Sequence, residues 1–257
     1  MISIWSQGAA DANMPQSFLA DTLGKVRRHP WWRARARLAL ATLQKHGIHP
    51  PAAVADVGCG WGTNLDALES AGHATTGFDI SRRILELIDQ PGRQLVEMDL
   101  NRPLPAGHAL FDALMALDVI EHLDDDRGAV ARMAELLKPA GVAIISVPAL
   151  PELFSDFDAI QGHRQRYLPE TLRAAFVDTG LEVREIFWWG AWMVPILRRR
   201  KNQPAAGSKK TYADYLKLPP WPAPALMALA YAWEHGRATR GGLKTGSSLF
   251  AVAVRKK

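Results

Sequence analysis

The sequence predicts an α/β domain built on a mostly parallel β-sheet with helices on both faces. Three observations predict it. Short apolar β runs alternate with amphipathic helical patterns through the centre of the chain. The first of those runs ends in alternating glycines that lead directly into a helix. A chain of 257 residues with 48% apolar content can bury one sizeable core without dividing into two.

Residues 15–46 read as a helical extension ahead of the sheet. Ala53 to Val57 is a short β run ending in glycines, and Thr63 to Ala71 is helical, stopped by Gly72. Thr75 to Asp79 is the second strand; Ser81 can cap the helix that runs to Asp89. Gln94 to Met98 is the third strand. Phe111 to Leu117 is the fourth, apolar enough to be buried on both faces. Asp124 to Asp126 can cap the next helix, in which Val130, Met133, Ala134 and Leu137 recur at helical spacing before Lys138-Pro139-Ala140-Gly141 ends it. Val142 to Val147 is the fifth strand. Pro169 opens a helix that Gly180 stops; Leu181 to Trp188 and Ser248 to Val254 are strands six and seven. About sixty residues separate those last two strands, far more than an ordinary connection. They hold a Pro-rich break at 218–222 and an apolar helix from Ala223 to His235. The expected organisation is an extension or lid over 1–46, a core over 47–189, an insertion over 190–245 covering one end of the sheet, and 246–257 carrying the last core strand and a basic tail.

The net charge is +5, clustered at Lys25 to Arg37, Arg198 to Lys201 and Arg255 to Lys257. Such clusters suit an anionic substrate, acidic lipid headgroups or nucleic acid, and equally a solvated surface. No helix-turn-helix, zinc-finger or RNA-binding signature accompanies them, so nucleic acid is not an expected partner. No repeat or long low-complexity tract interrupts the chain. Cys59 is the single cysteine, which fits a reducing compartment. The first ten residues lack a signal-peptide profile, and the longest apolar run, Ile186 to Leu197, contains Pro195. A cytoplasmic chain is expected, with membrane contact only at its surface. Whether it is a monomer or a homodimer stays open.

The sharpest local signal is Asp56-Val57-Gly58-Cys59-Gly60-Trp61-Gly62-Thr63-Asn64. Glycine lacks Cβ, so such a turn lets the backbone approach a ligand closely. At the carboxyl end of the first strand of an open sheet that ligand is nucleotide-like. The spacing is not that of dinucleotide folds, and Asp56 would repel a pyrophosphate while welcoming an ammonium. Gly58, Cys59, Gly60, Gly62 and Asn64 are the loop's candidate ligand contacts; the plainer reading is a turn that packs helix on strand. Asp79, 21 residues after Gly58, can accept from both ribose hydroxyls without choosing between nucleosides. Asp99 can accept from an adenine amino group, with Met98 and Leu100 beside the ring, or serve only its own turn.

Together with Phe111 to Leu123 and Leu136-Leu137-Lys138-Pro139-Ala140-Gly141, these residues resemble the class I S-adenosylmethionine (SAM) dependent methyltransferases, with Ala140 where Gly is usual. The resemblance covers about residues 30 to 190. It implies a Rossmann-like, seven-stranded sheet whose last strand is antiparallel. It implies SAM as cofactor and S-adenosylhomocysteine as product, with Ile80 and Leu100 beside the nucleoside and Leu117, Asp118 and His122 near the methionine part. Trp31-Trp32-Arg33-Ala34-Arg35, Asp158 to Tyr167 and Gly246-Ser247-Ser248-Leu249 resemble elements of a bacterial subset, from which Gln165 departs. That subset does not fix the acceptor.

Methyl transfer is an in-line displacement with a good neutral leaving group, so the protein has to align acceptor and methyl and exclude water. A small-molecule or lipid-like acceptor methylated on O or N is expected. An oxygen or nitrogen acceptor can need a base, for which His163 is the candidate, with Tyr167 beside it. Trp31, Trp32, Arg35, Arg166 and Trp188 are candidate acceptor contacts. In the alternative, Asp158, His163 and Arg166 form a network that only locks a loop, and Glu121-His122 is structural. No metal set is expected. Tryptophans flanked by arginines at 188–201 and 223–240 suit an interfacial membrane patch, a buried cover or a dimer contact. Two rival readings are a non-catalytic regulator or partner of the same fold and an NAD-dependent oxidoreductase; the intact glycine loop and Asp56 oppose them.

Overall fold

The computed structural model describes residues 2–6, 22–105, 107, 109–201, 216–218 and 220–257. Expectations for 7–21 and 202–215, within the extension and the insertion, lie outside the described residues. A mixed sheet of eight strands has the order β1-β4-β3-β2-β5-β6-β8-β7. Its strands are β1 (Ile2–Ile4), β2 (Ala53–Val57), β3 (Ala74–Asp79), β4 (Gln94–Glu97), β5 (Phe111–Leu117), β6 (Leu137–Pro148), β7 (Leu181–Trp189) and β8 (Ser248–Arg255). Only β8 runs antiparallel, wedged between β6 and β7. The fold is the expected Rossmann-like one, with one strand more than the seven predicted. The extra strand, β1, is three residues long and pairs parallel to β4 at the sheet edge. Three residues with two exposed side chains give no periodicity to read.

From the central β2 the chain steps outward through β3 to β4, then returns to β5 on the other side of β2. This reversal opens a crevice at the carboxyl ends of β2 and β5, where open α/β sheets bind ligands. The glycine turn leaves β2 at that end, and Asp118 leaves β5 there.

The helices are α1 (Pro30–Lys45), α2 (Thr63–Ser70), α3 (Arg82–Ile88), α4 (Asp126–Leu136), α5 (Asp156–Gln161), α6 (Pro169–Ala174), α7 (Val194–Lys201) and α8 (Ala223–Ala238). Caps fall where the residue types predict: Ser81 Oγ accepts from Ile84 N, and Asp125 Oδ1 accepts from Gly128 N at the start of α4. One core lies under α4 and α6, where Val130, Met133, Leu136 and Leu172 meet Leu114, Ile145 and Ala251. The other lies under α1 and α8, where Leu38, Leu43 and Tyr231 meet Val54, Met115, Ile144 and Phe250. The extension's helix α1 is thus one wall of the core: it buries Leu38, Ala39 and Leu43 against the sheet and touches α2 and α8. The helix read from Ala223 continues to Ala238. No helix among the described residues is long and apolar enough to cross a membrane.

Candidate active site

The turn after β2 runs Gly58, Cys59, Gly60, Trp61, Gly62, with positive φ at all three glycines. A Cβ on Gly58 would stand 2.5 Å from a Val119 methyl, so the close approach of the β5 loop requires glycine as much as the dihedral does. Gly58 N and Cys59 N both donate to Phe78 O, at 2.8 and 2.9 Å, which ties the turn to the end of β3. Gly62 is the N-cap of α2 in a left-handed conformation. The Cys59 thiol is buried, and burial holds it well above the ordinary thiol range, so this residue offers backbone and packing rather than a nucleophile.

Asp56 sits beneath this turn, fully buried. Its Oδ1 accepts from Asn64 Nδ2 at 3.1 Å, and its Oδ2 has no partner among the described residues. Burial drives its pKa up to about 7 against the opposing pull of the Asn64 hydrogen bond and of Arg35. Asp79, at the end of β3, accepts from Gly60 N through Oδ2 and from Ser81 N through Oδ1, both at 2.9 Å. Burial raises its pKa as well. The register pairs Asp56 with Gly77, so both carboxylates stand at the same edge of the sheet, on either side of the glycine turn. Ile80 follows Asp79 in the same loop.

Asp99 closes the neighbouring turn: its Oδ1 accepts from Asn101 N and Nδ2, and its own N–H reaches Ser6 Oγ at 2.8 Å. Met98 and Leu100 are buried in the adjoining core. Leu117 is buried on the opposite sheet face.

Asp118 leaves β5 with a left-handed φ of 60° and takes an ion pair from Arg35 and a hydrogen bond from Ser146 Oγ. Arg35 is nearly buried and also stacks over Trp31, its guanidinium carbon 4.6 Å from the ring centroid. The predicted acceptor-binding Arg35 and donor-binding Asp118 are therefore partners that tie α1 to the end of β5. Trp32 meets Trp61 of the glycine turn edge-on, with ring centroids 6.2 Å apart. Trp188 is half-buried against the first core, whereas its neighbour Trp189 is fully buried in the second.

A second cluster lies beside Asp118. Residues 162–166 fold back along 121–124: Arg164 N donates to Glu121 O at 2.8 Å, and Arg164 Nε donates to His122 O at 2.8 Å. Asp158 is the hub. It accepts from Arg166 Nε and Nη2 at 2.8 and 3.0 Å, from Ser155 N, and pairs with His163 Nδ1 at 3.0 Å. Burial opposes its ionisation, but the His163 and Arg166 hydrogen bonds outweigh that and hold it at about 2. With Arg166 Nη1 also bonded to Ala149 O, the guanidinium is committed to the loop. The locking network read as the alternative thus exists, and it leaves His163 Nε2 pointing toward Glu121, 3.8 Å from its Oε1. Glu121 is fully buried; burial first, then the nearby Asp118 charge, push its pKa well up. His122 is kept neutral, pushed down to about 3 by burial. The Tyr167 hydroxyl is buried and donates to Asp126 Oδ2 at 2.9 Å; burial first, then the Asp126 and Glu121 carboxylates, raise its pKa. Glu121 is the site residue that spacing along the chain does not single out. Its signal is an ionisable pair, Glu121-His122, four residues past the end of an apolar strand.

Comparison with known proteins places this arrangement. A family model described as a methyltransferase domain matches residues 27–186, well over half of the chain. An O-methyltransferase of Pyrenophora dematioidea is 28% identical over 166 residues, 59% of this chain and 62% of that protein. A ubiquinone biosynthesis O-methyltransferase of Paracidovorax citrulli is 30% identical over 100 residues, 36% of this chain and 42% of its own length. The chain thus matches less than two thirds of the length of either curated relative. In fold, it is similar to a chain of the complex between the Haloferax volcanii Trm112 methyltransferase activator and its putative methyltransferase, with TM-score 0.60, 19% identity and coverage of 94% and 96% of the two chains. With that family model over more than half of its length and this sheet, the chain belongs to the class I SAM-dependent methyltransferases.

Proposed function

We propose that the protein transfers the methyl group of SAM to a hydroxyl oxygen of a small, largely apolar acceptor. The observation that carries this reading is Asp56: a fully buried carboxylate beside a glycine turn, with one oxygen lacking a partner among the described residues. Isolated buried charge is costly, and a ligand ammonium offsets that cost. SAM brings such an ammonium on the same molecule as a ribose, for which Asp79 stands on the other side of the turn. A pyrophosphate brings only like charge, which disfavours a nicotinamide dinucleotide.

The curated relatives named above are O-methyltransferases, which favours oxygen over nitrogen as the target. The sulfonium supplies the driving force, so the chain's own work is to hold the two substrates in line and to manage the acceptor's proton. What supports His163 for the second task is its Nδ1 contact with Asp158: the tautomer that donates from Nδ1 leaves a lone pair on Nε2. The experiment is transfer of a labelled methyl from SAM to a panel of phenolic, carboxylic and polyprenyl acceptors, with S-adenosylhomocysteine formation monitored. Label in an O-methyl ether or ester is expected. Label on nitrogen or carbon alone would overturn the assignment to oxygen, and no transfer with intact SAM binding would favour a non-catalytic partner protein.

The apolar character of the acceptor, and contact with a membrane surface, rest on α8. Its inner residues Tyr231, Glu234 and Ala238 are buried, yet Leu226, Leu229 and Trp233 on its outer side are 60–66% exposed, and Trp221 just before it is 84% exposed. Arg237 stacks over Trp233 at 4.8 Å, and Arg240 follows. Glu234, the one acid in this helix, is turned inward. An anionic lipid surface accepts both the indoles and the arginines of this stripe.

A further inference from the structure

The Glu121 carboxylate poses a problem that the donor site does not solve. Both of its oxygens are buried and, among the described residues, neither has a hydrogen-bond partner. Protonation would remove the charge but would still leave the group without a partner in the interior. A buried polar group in that state calls for an unseen occupant. Two imidazoles converge on it. His163 Nε2 stands 3.8 Å from Glu121 Oε1, the His122 and His163 rings cross at 80° with centroids 4.8 Å apart, and His122 Nδ1 is buried without a partner. The donor atoms of the three residues all lie within 4.8 Å of one another.

We propose that Glu121, His122 and His163 bind a divalent first-row metal ion, with zinc the best match to two imidazoles and one carboxylate. Ligands of a tetrahedral zinc, each about 2.0–2.2 Å from the ion, stand roughly 3.5 Å apart. The His163–Glu121 spacing already suits that geometry, and the widest spacing in the set has to close by little more than an ångström. The surroundings match as well. Metal-bound histidines donate their outer N–H to a carboxylate or a backbone carbonyl, which fixes the tautomer and aims the inner lone pair. Here His163 Nδ1 is held by Asp158, itself locked by Arg166, and His122 makes its other contact with the Gly162 backbone. Both rings are thus oriented by outer contacts, with the lone pairs left on the side of Glu121.

Three protein ligands leave one position of a tetrahedral ion open. In the proposed reaction, which this use alone depends on, an acceptor hydroxyl would bind there. Its O–H bond would break as the O–metal bond forms, the proton would leave to water, and no electron would change hands. His163 would then be a ligand rather than the base.

The test is metal binding by the full-length protein, measured separately from SAM binding and from turnover. The protein is stripped with a chelator, then titrated with zinc against a chromophoric competitor, and with cobalt to record ligand-field absorption. One tight equivalent per chain is expected, with cobalt bands of a low-coordinate site. Glu121→Gln, nearly isosteric, should weaken binding at least tenfold and change the cobalt spectrum; His122→Ala with His163→Ala should abolish both. Asp158→Asn should cost about 10- to 100-fold through the outer contact. Calorimetry with SAM confirms that each variant is folded, and should the double variant fail to fold, Glu121→Gln decides. No stoichiometric zinc or cobalt on the folded wild type would overturn the proposal, as would undiminished binding by Glu121→Gln. Either result would leave the SAM reading intact, whereas lost SAM binding with metal retained would sink that reading alone.

Discussion

At the scale of single residues, the site concentrates charge where charge is expensive. Asp56 has its pKa raised from 3.8 to about 7 by burial. A folded-state pKa above the unfolded one means that the folded protein holds the proton more tightly. Stability from this group is therefore intact near pH 4 and is lost as pH rises through the window up to 7. The loss is of order 4 kcal/mol at most, at 1.36 kcal/mol per pKa unit. Asp56→Asn should then raise the ligand-free protein's stability at pH 8 relative to wild type, with the difference shrinking toward pH 4. The same variant should weaken SAM about 10- to 100-fold, the worth of a hydrogen bond to a charged partner. Urea unfolding across that pH range and SAM calorimetry check both halves. An Asp56→Asn protein no more stable at pH 8 than at pH 4, relative to wild type, would show the carboxylate to be solvated or paired. Ala140 makes a simpler case. It is exposed with φ 65°, a left-handed conformation that costs an L-residue about 1 kcal/mol. Ala140→Gly should stabilise by a few tenths to 1 kcal/mol and leave SAM affinity unchanged, as denaturant midpoints would show.

At the scale of elements, α1 and α8 carry the features that distinguish this chain's ligand end. α1 forms a core wall and delivers Arg35 to Asp118; α8 is anchored through Glu234, which accepts from Gly190 N at 3.0 Å and Trp192 N at 2.9 Å. That anchoring orients the outer stripe of α8 as a fixed surface rather than a frayed end. Leu229→Asp with Trp233→Asp should abolish cosedimentation with phosphatidylglycerol-containing vesicles at low salt while SAM binding is preserved. Wild-type protein that stays in solution with such vesicles, and self-associates through this stripe instead, would make the face a contact between copies. The elements differ in how far the sequence discloses them. Alternating β runs and glycine stops placed seven of the eight strands, because burial on a parallel sheet leaves continuous apolar runs. β1 was hidden because an edge strand of three residues carries no pattern. Residues 1–46 read as a helical extension or lid, and the structure adds that the apolar face of α1, Leu38, Ala39 and Leu43, packs into the core.

At the scale of the molecule, the reversal of strand order between β3 and β5 gathers residues that are remote in sequence. The glycine turn, Asp56 and Asp79 were legible because their chemistry is local: a turn needing positive φ and acids at strand ends. The Glu121, His122 and His163 cluster was not, because it forms only when 162–166 folds back onto 121–124, a contact that Arg164 makes and that no spacing encodes. Arg166, read as an anion binder, proves fully engaged with Asp158 and Ala149, which again depends on the fold. The account of the whole rests on one ligand spanning the glycine turn, its ammonium beside Asp56 and its ribose beside Asp79. Calorimetric titration with SAM, S-adenosylhomocysteine and NADH tests this most directly. Saturable one-to-one binding of the first two, weakened in both Asp56→Asn and Asp79→Asn, with no heat from NADH, is the predicted result; binding of NADH in preference to SAM, or SAM affinity indifferent to both substitutions, would contradict it.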